Sequence, residues 1–378
     1  MIPYGKQWID RADIEAVVRV LEGDWLTTGP AVPVFEEAVG RMAGCPHAVA
    51  VNSGTSALDI AVQALDLPEG SEVITTPLTF AATANAILYN RCRPVFADIT
   101  PDTRNIDPED IRGRITAKTR AIIAVDYAGH PCDWDTLHEL ADSHDLRLID
   151  DACHAPGALY HGRRVGSLAD MTVFSFHPVK HVTTGEGGAV TTADSGLAGR
   201  LRMLRDHGID RTATAGSAAG AGYGYDMKFL GHNYRMTDFQ AALGVSQLRK
   251  LPSFLRRRRE IANAYRHAFD GHPSLEIPEQ RDNIAHAWHL YTLLLRGVDR
   301  NSAMTRLRKQ GIATNVHYIP VYRFSYYRER FAIPPDDYPV TEDVFSRILT
   351  IPLFPAMTDD EVDTVVHAVS ALGSGEES

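Results

Sequence analysis

Lys180 is the residue of this chain best placed to act as a nucleophile. The apolar run Thr172-Val173-Phe174-Ser175-Phe176 leads through His177-Pro178-Val179 into Lys180, and the glycine-rich stretch Thr183-Thr184-Gly185-Glu186-Gly187-Gly188 follows. An amine beyond a strand end, against apolar walls, is poorly solvated; its pKa falls and it can attack an aldehyde to form a Schiff base. No G-x-x-x-x-G-K-[ST] pattern precedes it, so a nucleotide-triphosphate loop is excluded as its setting. A surface lysine is the plain alternative, and the company Lys180 keeps argues against it.

That company begins with Asn52-Ser53-Gly54-Thr55-Ser56-Ala57-Leu58, which follows one apolar run and opens a helical stretch reaching Leu65. Small hydroxyl residues at a helix start leave backbone N–H groups free, and the helix dipole favours an anion there, so the segment reads as a phosphate cup. The same residues also suit a simple helix cap. In Leu148-Ile149-Asp150-Asp151-Ala152-Cys153-His154, two carboxylates and a histidine leave the end of a strand. A carboxylate buried at a ligand-binding edge needs a cationic partner, and a protonated pyridine nitrogen would serve. A metal would serve too, but no second His or Glu cluster lies at ligand spacing nearby, and we expect no metal site.

These residues need a scaffold that brings strand ends together. Short β-branched runs at 48–51, 72–75, 94–97, 121–125, 146–149, 171–176 and 189–192 alternate with helical stretches. The alternation predicts an α/β fold with a largely parallel sheet covered on both faces and a ligand beyond the carboxyl ends of its strands. The Gly-, Ala- and Ser-rich segment 211–227 reads as a surface loop, a lid or an interface loop. A helix follows at 247–269, then a strand at 290–295 and a helix at 359–371, which predict a smaller C-terminal α+β domain. We place the division at 1–248 and 249–378 and expect the tail 373–378 to fray.

With 378 residues the chain is long enough for one large and one small core. A formal net charge of -10 repels nucleic acid and anionic membrane. The cluster Arg256-Arg257-Arg258-Arg259 is expected to be a solvated or interface-facing stripe of its helix. Cysteines 45, 92, 132 and 153 form no C-x-x-C pair and read as reduced thiols of a cytoplasmic protein. The segment MIPYGKQW shows no basic region followed by an apolar run, and no apolar run approaches a bilayer-spanning length, so we expect a protein that is neither secreted nor membrane-spanning.

The motifs WLTTGP (25–30), NSGTSAL (52–58), TPLTFAATANAI (76–87), DDACHAPGA (150–158), FSFHPVKHVTTGEGG (174–188) and GHNYRMTDFQAALG (231–244) together resemble the DegT/DnrJ/EryC1/StrS aminotransferase family. YGKQWID, HPVKHVTTGEGG and NYRMTDFQAALG are most similar to its branch acting on UDP-4-keto-6-deoxy-N-acetylaltrosamine in pseudaminic acid biosynthesis. Two positions depart from that branch: Asp126 stands where it often shows His, and Asp150 where it usually has Glu.

The resemblance implies the fold type I architecture of pyridoxal-phosphate (PLP) transferases, similar to aspartate aminotransferase. It implies that Lys180 carries PLP, that Asp151 pairs with the pyridine nitrogen and that Thr55, Ser56 and Ser175 hold the phosphate. Phe80 would stack on the ring, His154 would lie near its phenolic oxygen, and Asn233 would reach the partner's phosphate across a homodimer interface. Tyr4, Lys6, Thr28, Arg235, His317 and Tyr318 are candidates for the sugar nucleotide. The implied reaction moves an amino group from L-glutamate to a nucleotide-linked 4-keto-6-deoxy sugar. A 3-keto-sugar or cyclitol aminotransferase would use the same cofactor residues, and a non-catalytic PLP or nucleotide-sugar binding protein would be expected to have lost Lys180 or Asp151. The related sugar dehydratases have a histidine in place of the lysine.

Overall fold

In the computed structural model, residues 1–211 and 225–373 are described. Most of the segment expected to be a surface loop, and the tail beyond Gly373, lie outside them. Strands β1 (His47–Val51), β2 (Glu72–Thr75), β3 (Arg93–Phe96), β4 (Thr119–Val125) and β5 (Arg147–Asp151) are followed by the two-residue β6 (Leu159–Tyr160) and β7 (Arg163–Arg164), then by β8 (Met171–Ser175) and β9 (Gly188–Thr192). Seven of them form one sheet in the order β1-β9-β8-β5-β4-β2-β3, and β6 and β7 make a side ribbon. All neighbours in the large sheet are parallel except β9, which runs against both β1 and β8. The link from β8 to β9, residues 176–187, contains no helix, and the chain turns back on itself. Lys180 lies in that link.

Alternation along the strands builds three layers. Ala48, Ala50 and Phe174 point into a core shared with α2 (Ala31–Ala43), α6 (Trp134–His144) and the first half of α8 (Asp238–Phe269). Val49, Val51 and Val173 point the other way, into a core with α3 (Gly54–Ala64), α4 (Ala81–Tyr89) and α7 (Ser195–Arg205). Each fully buried Val, Ile or Phe stabilises these layers by about 1.5–3 kcal/mol. Helix α1 (Arg11–Leu21) lies along α8, and the short α5 (Pro108–Arg114) packs beside α6.

Strands β12 (Leu275–Glu276), β14 (Tyr291–Leu295) and β15 (Ile348–Ile351) form a second, antiparallel sheet, while β10 (Ile209–Asp210) pairs with β11 (Asp226–Met227) and β13 (Ile284–Ala285) with β6. Ile261, Tyr265 and Phe269 of α8 enter its core with Leu307 of α9 (Arg300–Lys309) and Val365 of α12 (Asp359–Ser370). Helices α10 (Ser325–Phe331) and α11 (Pro339–Arg347) connect α9 to β15. Position 249 therefore falls inside α8, which runs from one core into the other. The arginine cluster corrects the expectation of a solvated stripe at one position. Arg258 is only 1% exposed and donates from Nη1 to the carbonyls of Trp288, His289 and Leu353. Its position on α8 faces the seam between the two cores, where unpaired carbonyls need a donor.

Where α2 crosses α8, a Cβ on Gly244 would press into the Phe35 ring and come within 2.8 Å of Thr184 Cγ2. Gly244→Val should cost about 1–3 kcal/mol through overpacking. Calorimetry is expected to show a melting temperature lower by several degrees; an unchanged value would mean that α2 does not seat on α8 in this way.

Candidate active site

The carboxyl ends of β4, β5 and β8, the start of α3 and a segment after α9 enclose a cavity of about 670 Å³. Asp151 reaches it from the last position of β5, beyond the strand end expected at 149. The strand continues because the backbones of Asp150 and Asp151 pair with β4 and β8 on either side. Asp151 is 5% exposed; it accepts from Thr83 Oγ1 at 2.7 Å and from the Cys153 N–H at 3.3 Å. Since the Thr83 proton goes to Asp151, Thr79 must donate to Thr83 in their 2.9 Å contact, so a chain of hydroxyls orients the carboxylate. No ion pair neutralises Asp151 among the described residues.

Lys180 faces the same cavity, its backbone N–H held by the His177 carbonyl at 2.9 Å. Burial lowers its pKa below the ordinary lysine value, partly offset by the nearby Cys153 and Asp151. No hydrogen bond holds its Nζ among the described residues, so the amine is available to react.

Ser53 caps α3 by accepting from the Ser56 N–H at 3.0 Å. The N–H groups of Gly54 and Thr55 have no acceptor among the described residues and sit at the cavity wall beside Ser53 and Ser175, as an anion site requires. Gly54 permits this proximity: a Cβ there would stand 2.9 Å from Ser175 Cβ. The Ser56 hydroxyl donates instead to Asn52 Oδ1 at 2.6 Å and does not line the cavity, whereas Ser53 does. Phe80, 63% exposed, presents its ring at the mouth.

His154 lies deep in the cavity. Burial first, and then the charge of Lys180, push its pKa well below the ordinary histidine value, so the ring is neutral. It packs on His289 with centroids 4.4 Å apart. Of the substrate candidates, Tyr4, His317 and Tyr318 line the cavity, whereas Lys6, Thr28 and Arg235 do not; nor does Asn233, expected to serve a partner's phosphate, in this single chain. Thr28 is in the turn before α2 that Asp238 ties down through the N–H groups of Gly29 and Ala31, and Arg235 pairs with Asp206. Sequence reasoning missed Ser53, Thr79 and Thr83, although they sit inside NSGTSAL and TPLTFAATANAI; His289 and Asn315 lie outside every motif and gave no signal. Among the described residues no group of three His, Cys, Asp or Glu side chains could hold a metal.

This geometry fits PLP. The helix start matches its phosphate, the unpaired Asp151 carboxylate its ring nitrogen, and the free Lys180 amine its aldehyde. With a mostly parallel sheet carrying one antiparallel strand beside the lysine, fold and site define a fold type I PLP-dependent aminotransferase.

Comparison with known proteins agrees. The chain belongs to the DegT/DnrJ/EryC1/StrS aminotransferase family, whose model matches residues 7–370. It is similar to the spore coat polysaccharide biosynthesis protein SpsC of Bacillus subtilis (strain 168), with 40% identity over 99% of this chain and 97% of that one. Among solved structures it is similar to Helicobacter pylori PseC, an aminotransferase involved in the biosynthesis of pseudoaminic acid (33% identity, TM-score 0.91, 97% and 98% of the two chains). It is similar also to the PMP form of the putative sugar aminotransferase Spr1654 from Streptococcus pneumoniae (32%, TM-score 0.93, 98% of each).

Behind Asp151, Asp126 and Asp150 are fully buried, and each keeps an oxygen without a partner among the described residues. Burial pushes Asp126 up to about 7 and Asp150 well above the ordinary carboxylate range, each further raised by its carboxylate neighbours. The folded value exceeds the unfolded one, so the stability from the bound proton is complete at acid pH and is lost as the pH rises through about 7. Asp126→Asn should flatten the fall in melting temperature between about pH 5 and pH 8. Equal slopes for variant and wild type would refute this origin.

Proposed function

We propose that this protein transfers an amino group from L-glutamate to a nucleotide-linked 4-keto-6-deoxy sugar, giving a 4-amino-4,6-dideoxy sugar nucleotide. The observation that carries the reading is one cavity in which a free lysine amine, an unpaired buried carboxylate and a helix start converge. The similarity to PseC and to a polysaccharide biosynthesis protein supports a sugar as the acceptor. A 3-keto sugar or a cyclitol is the second reading, since it would engage the same cofactor residues.

When bound, PLP supplies an aldehyde that captures amines and a ring that stores an electron pair. Lys180 Nζ takes the proton from the glutamate α-carbon and later delivers one to the sugar carbon, which fixes the configuration of the new amine. Asp151, held by Thr83, keeps the ring nitrogen protonated as charge develops, a pre-set partner that needs no reorganisation. Thr55 and Ser175, with the Gly54 and Thr55 N–H groups, hold the phosphate, and Phe80 covers one face of the ring. Tyr4 and His317 contact the sugar side. Asn233, exposed and away from its own cavity, serves the site of a second copy; the exposed Ile14, Val18 and Leu21 on α1 supply apolar surface for such a homodimer.

Two experiments test this. Purified protein with PLP should show a visible absorption band that L-glutamate bleaches, and Lys180→Ala should lack it. A wild-type band that no amino donor alters would end the aminotransferase reading. UDP- and dTDP-linked 4-keto and 3-keto sugars, with products identified by mass and NMR, then choose between the two acceptors. Separately, Asp151→Ala should slow turnover by about 10²-fold or more while weakening PLP binding far less. Turnover near wild type would mean that Asp151 does not hold the ring nitrogen's proton.

A further inference from the structure

Tyr318 Oη and His154 Nε2 lie 2.9 Å apart, joining the segment after α9 to the turn after β5. Which atom donates is fixed by the other ring nitrogen. The Ala128 N–H donates to His154 Nδ1 at 3.3 Å, so Nδ1 carries no proton. The neutral ring therefore bears its hydrogen on Nε2 and gives it to Tyr318 Oη. The tyrosine's own hydrogen cannot return to His154 and finds no other acceptor among the described residues. It belongs to a side chain that lines the cavity with Lys180 and Asp151.

The backbone around Tyr318 is tied down. Tyr127 Oη donates to the His317 carbonyl, Asn315 Nδ2 donates to His317 Nε2 at 3.4 Å, and His317 Nδ1 donates to Thr350 Oγ1 at 2.9 Å. The phenol is thus anchored on both sides, and burial keeps it protonated by raising its pKa well above the ordinary tyrosine value. Tyr4 lines the same cavity, but among the described residues no hydrogen bond orients its hydroxyl. Of the remaining hydroxyls, Thr79 and Thr83 are committed to the chain that ends on Asp151, while Ser53, Thr55 and Ser175 gather at the helix start. An oriented donor in a confined cavity without an acceptor is costly unless a ligand supplies one.

We propose that Tyr318 donates its hydrogen to the oxygen of the carbonyl group undergoing exchange with nitrogen, in the keto acid as in the keto-sugar. The proposal rests on the aminotransferase reading and gives that site its proton donor for oxygen. Replacing C=O by C=N forms the C–N bond from the amine lone pair and breaks the C–O bond with its electrons, while both amine protons leave with the oxygen as water. Tyr318 provides one of those protons and regains one from the nitrogen, with the His154 N–H stabilising the phenol oxygen meanwhile. The reverse sequence operates when glutamate becomes 2-oxoglutarate. Proton movement at carbon stays with Lys180.

This division of labour is testable in the PLP-loaded protein with L-glutamate as the probe. Exchange of the glutamate α-hydrogen in heavy water, followed by NMR, reports Lys180 and precedes any carbonyl; release of 2-oxoglutarate reports the carbonyl oxygen. Tyr318→Phe should keep hydrogen exchange and PLP affinity within about threefold while slowing 2-oxoglutarate release about 10²-fold, the usual contribution of one proton donor. If both rates stay at wild-type levels, Tyr318 is not the donor. A parallel fall in both would overturn the proposal too, because it would place Tyr318 in shaping the pocket around Lys180. Wild-type protein that exchanges no α-hydrogen would sink the aminotransferase reading itself, and this inference with it, and that failure is visible before any variant is made.

Discussion

Asp151 is a carboxylate taken out of water with no cation of its own, and the surrounding architecture follows from keeping it there. Desolvating such a group costs several kcal/mol unless donors and an opposite charge offset it. Thr83 and the Cys153 N–H supply the donors. No cation pairs with Asp151 among the described residues, and under the proposed function a protonated ring nitrogen supplies the opposite charge. Lys180 shares the cavity, and the same desolvation lowers its pKa, so one pocket acts on both groups.

The sheet brings these groups together by a change of direction. Parallel strands send their carboxyl ends to one edge, where β4, β5 and β8 deliver Val125, Asp151 and Ser175. The reversal into β9 then folds the lysine-bearing link over that edge instead of carrying it away through a helix. On the other side, the segment bearing His317 and Tyr318 is held by Thr350 of the second sheet, so the cavity is roofed by one unit and floored by the other. Arg258 secures the seam, drawing three backbone carbonyls, two before β14 and one after β15, onto one guanidinium.

Much of this was legible in the sequence because the large sheet is buried on both faces. Each strand then reads as an apolar run, and the seven runs expected match β1 to β5, β8 and β9 to within a residue or two. The end of β5 was harder, since Asp150 and Asp151 look like a strand terminus until pairing on both sides is known. The direction of β9 was hidden because apolar alternation is the same either way. At the site, motifs led to Lys180, Asp151 and His154, whose chemistry is carried by residue type. Ser53 displaced Ser56 at the cavity because the helix geometry, invisible in composition, turns the Ser56 hydroxyl toward Asn52. His289 and Asn315 arrive from the second unit across long sequence separation, and neither carries a local pattern that would mark it.

The first few residues are stitched into the second unit: Ile2 exchanges backbone hydrogen bonds with Gly311 and Ala313, and the Tyr4 carbonyl accepts from the Leu353 N–H. Tyr4 itself forms part of the cavity wall. An affinity tag fused at this end would therefore load a strap that borders the reaction chamber, whereas no residue of α12, toward the other end, lines that cavity. For recombinant work, the position of the tag becomes a variable of the catalytic site.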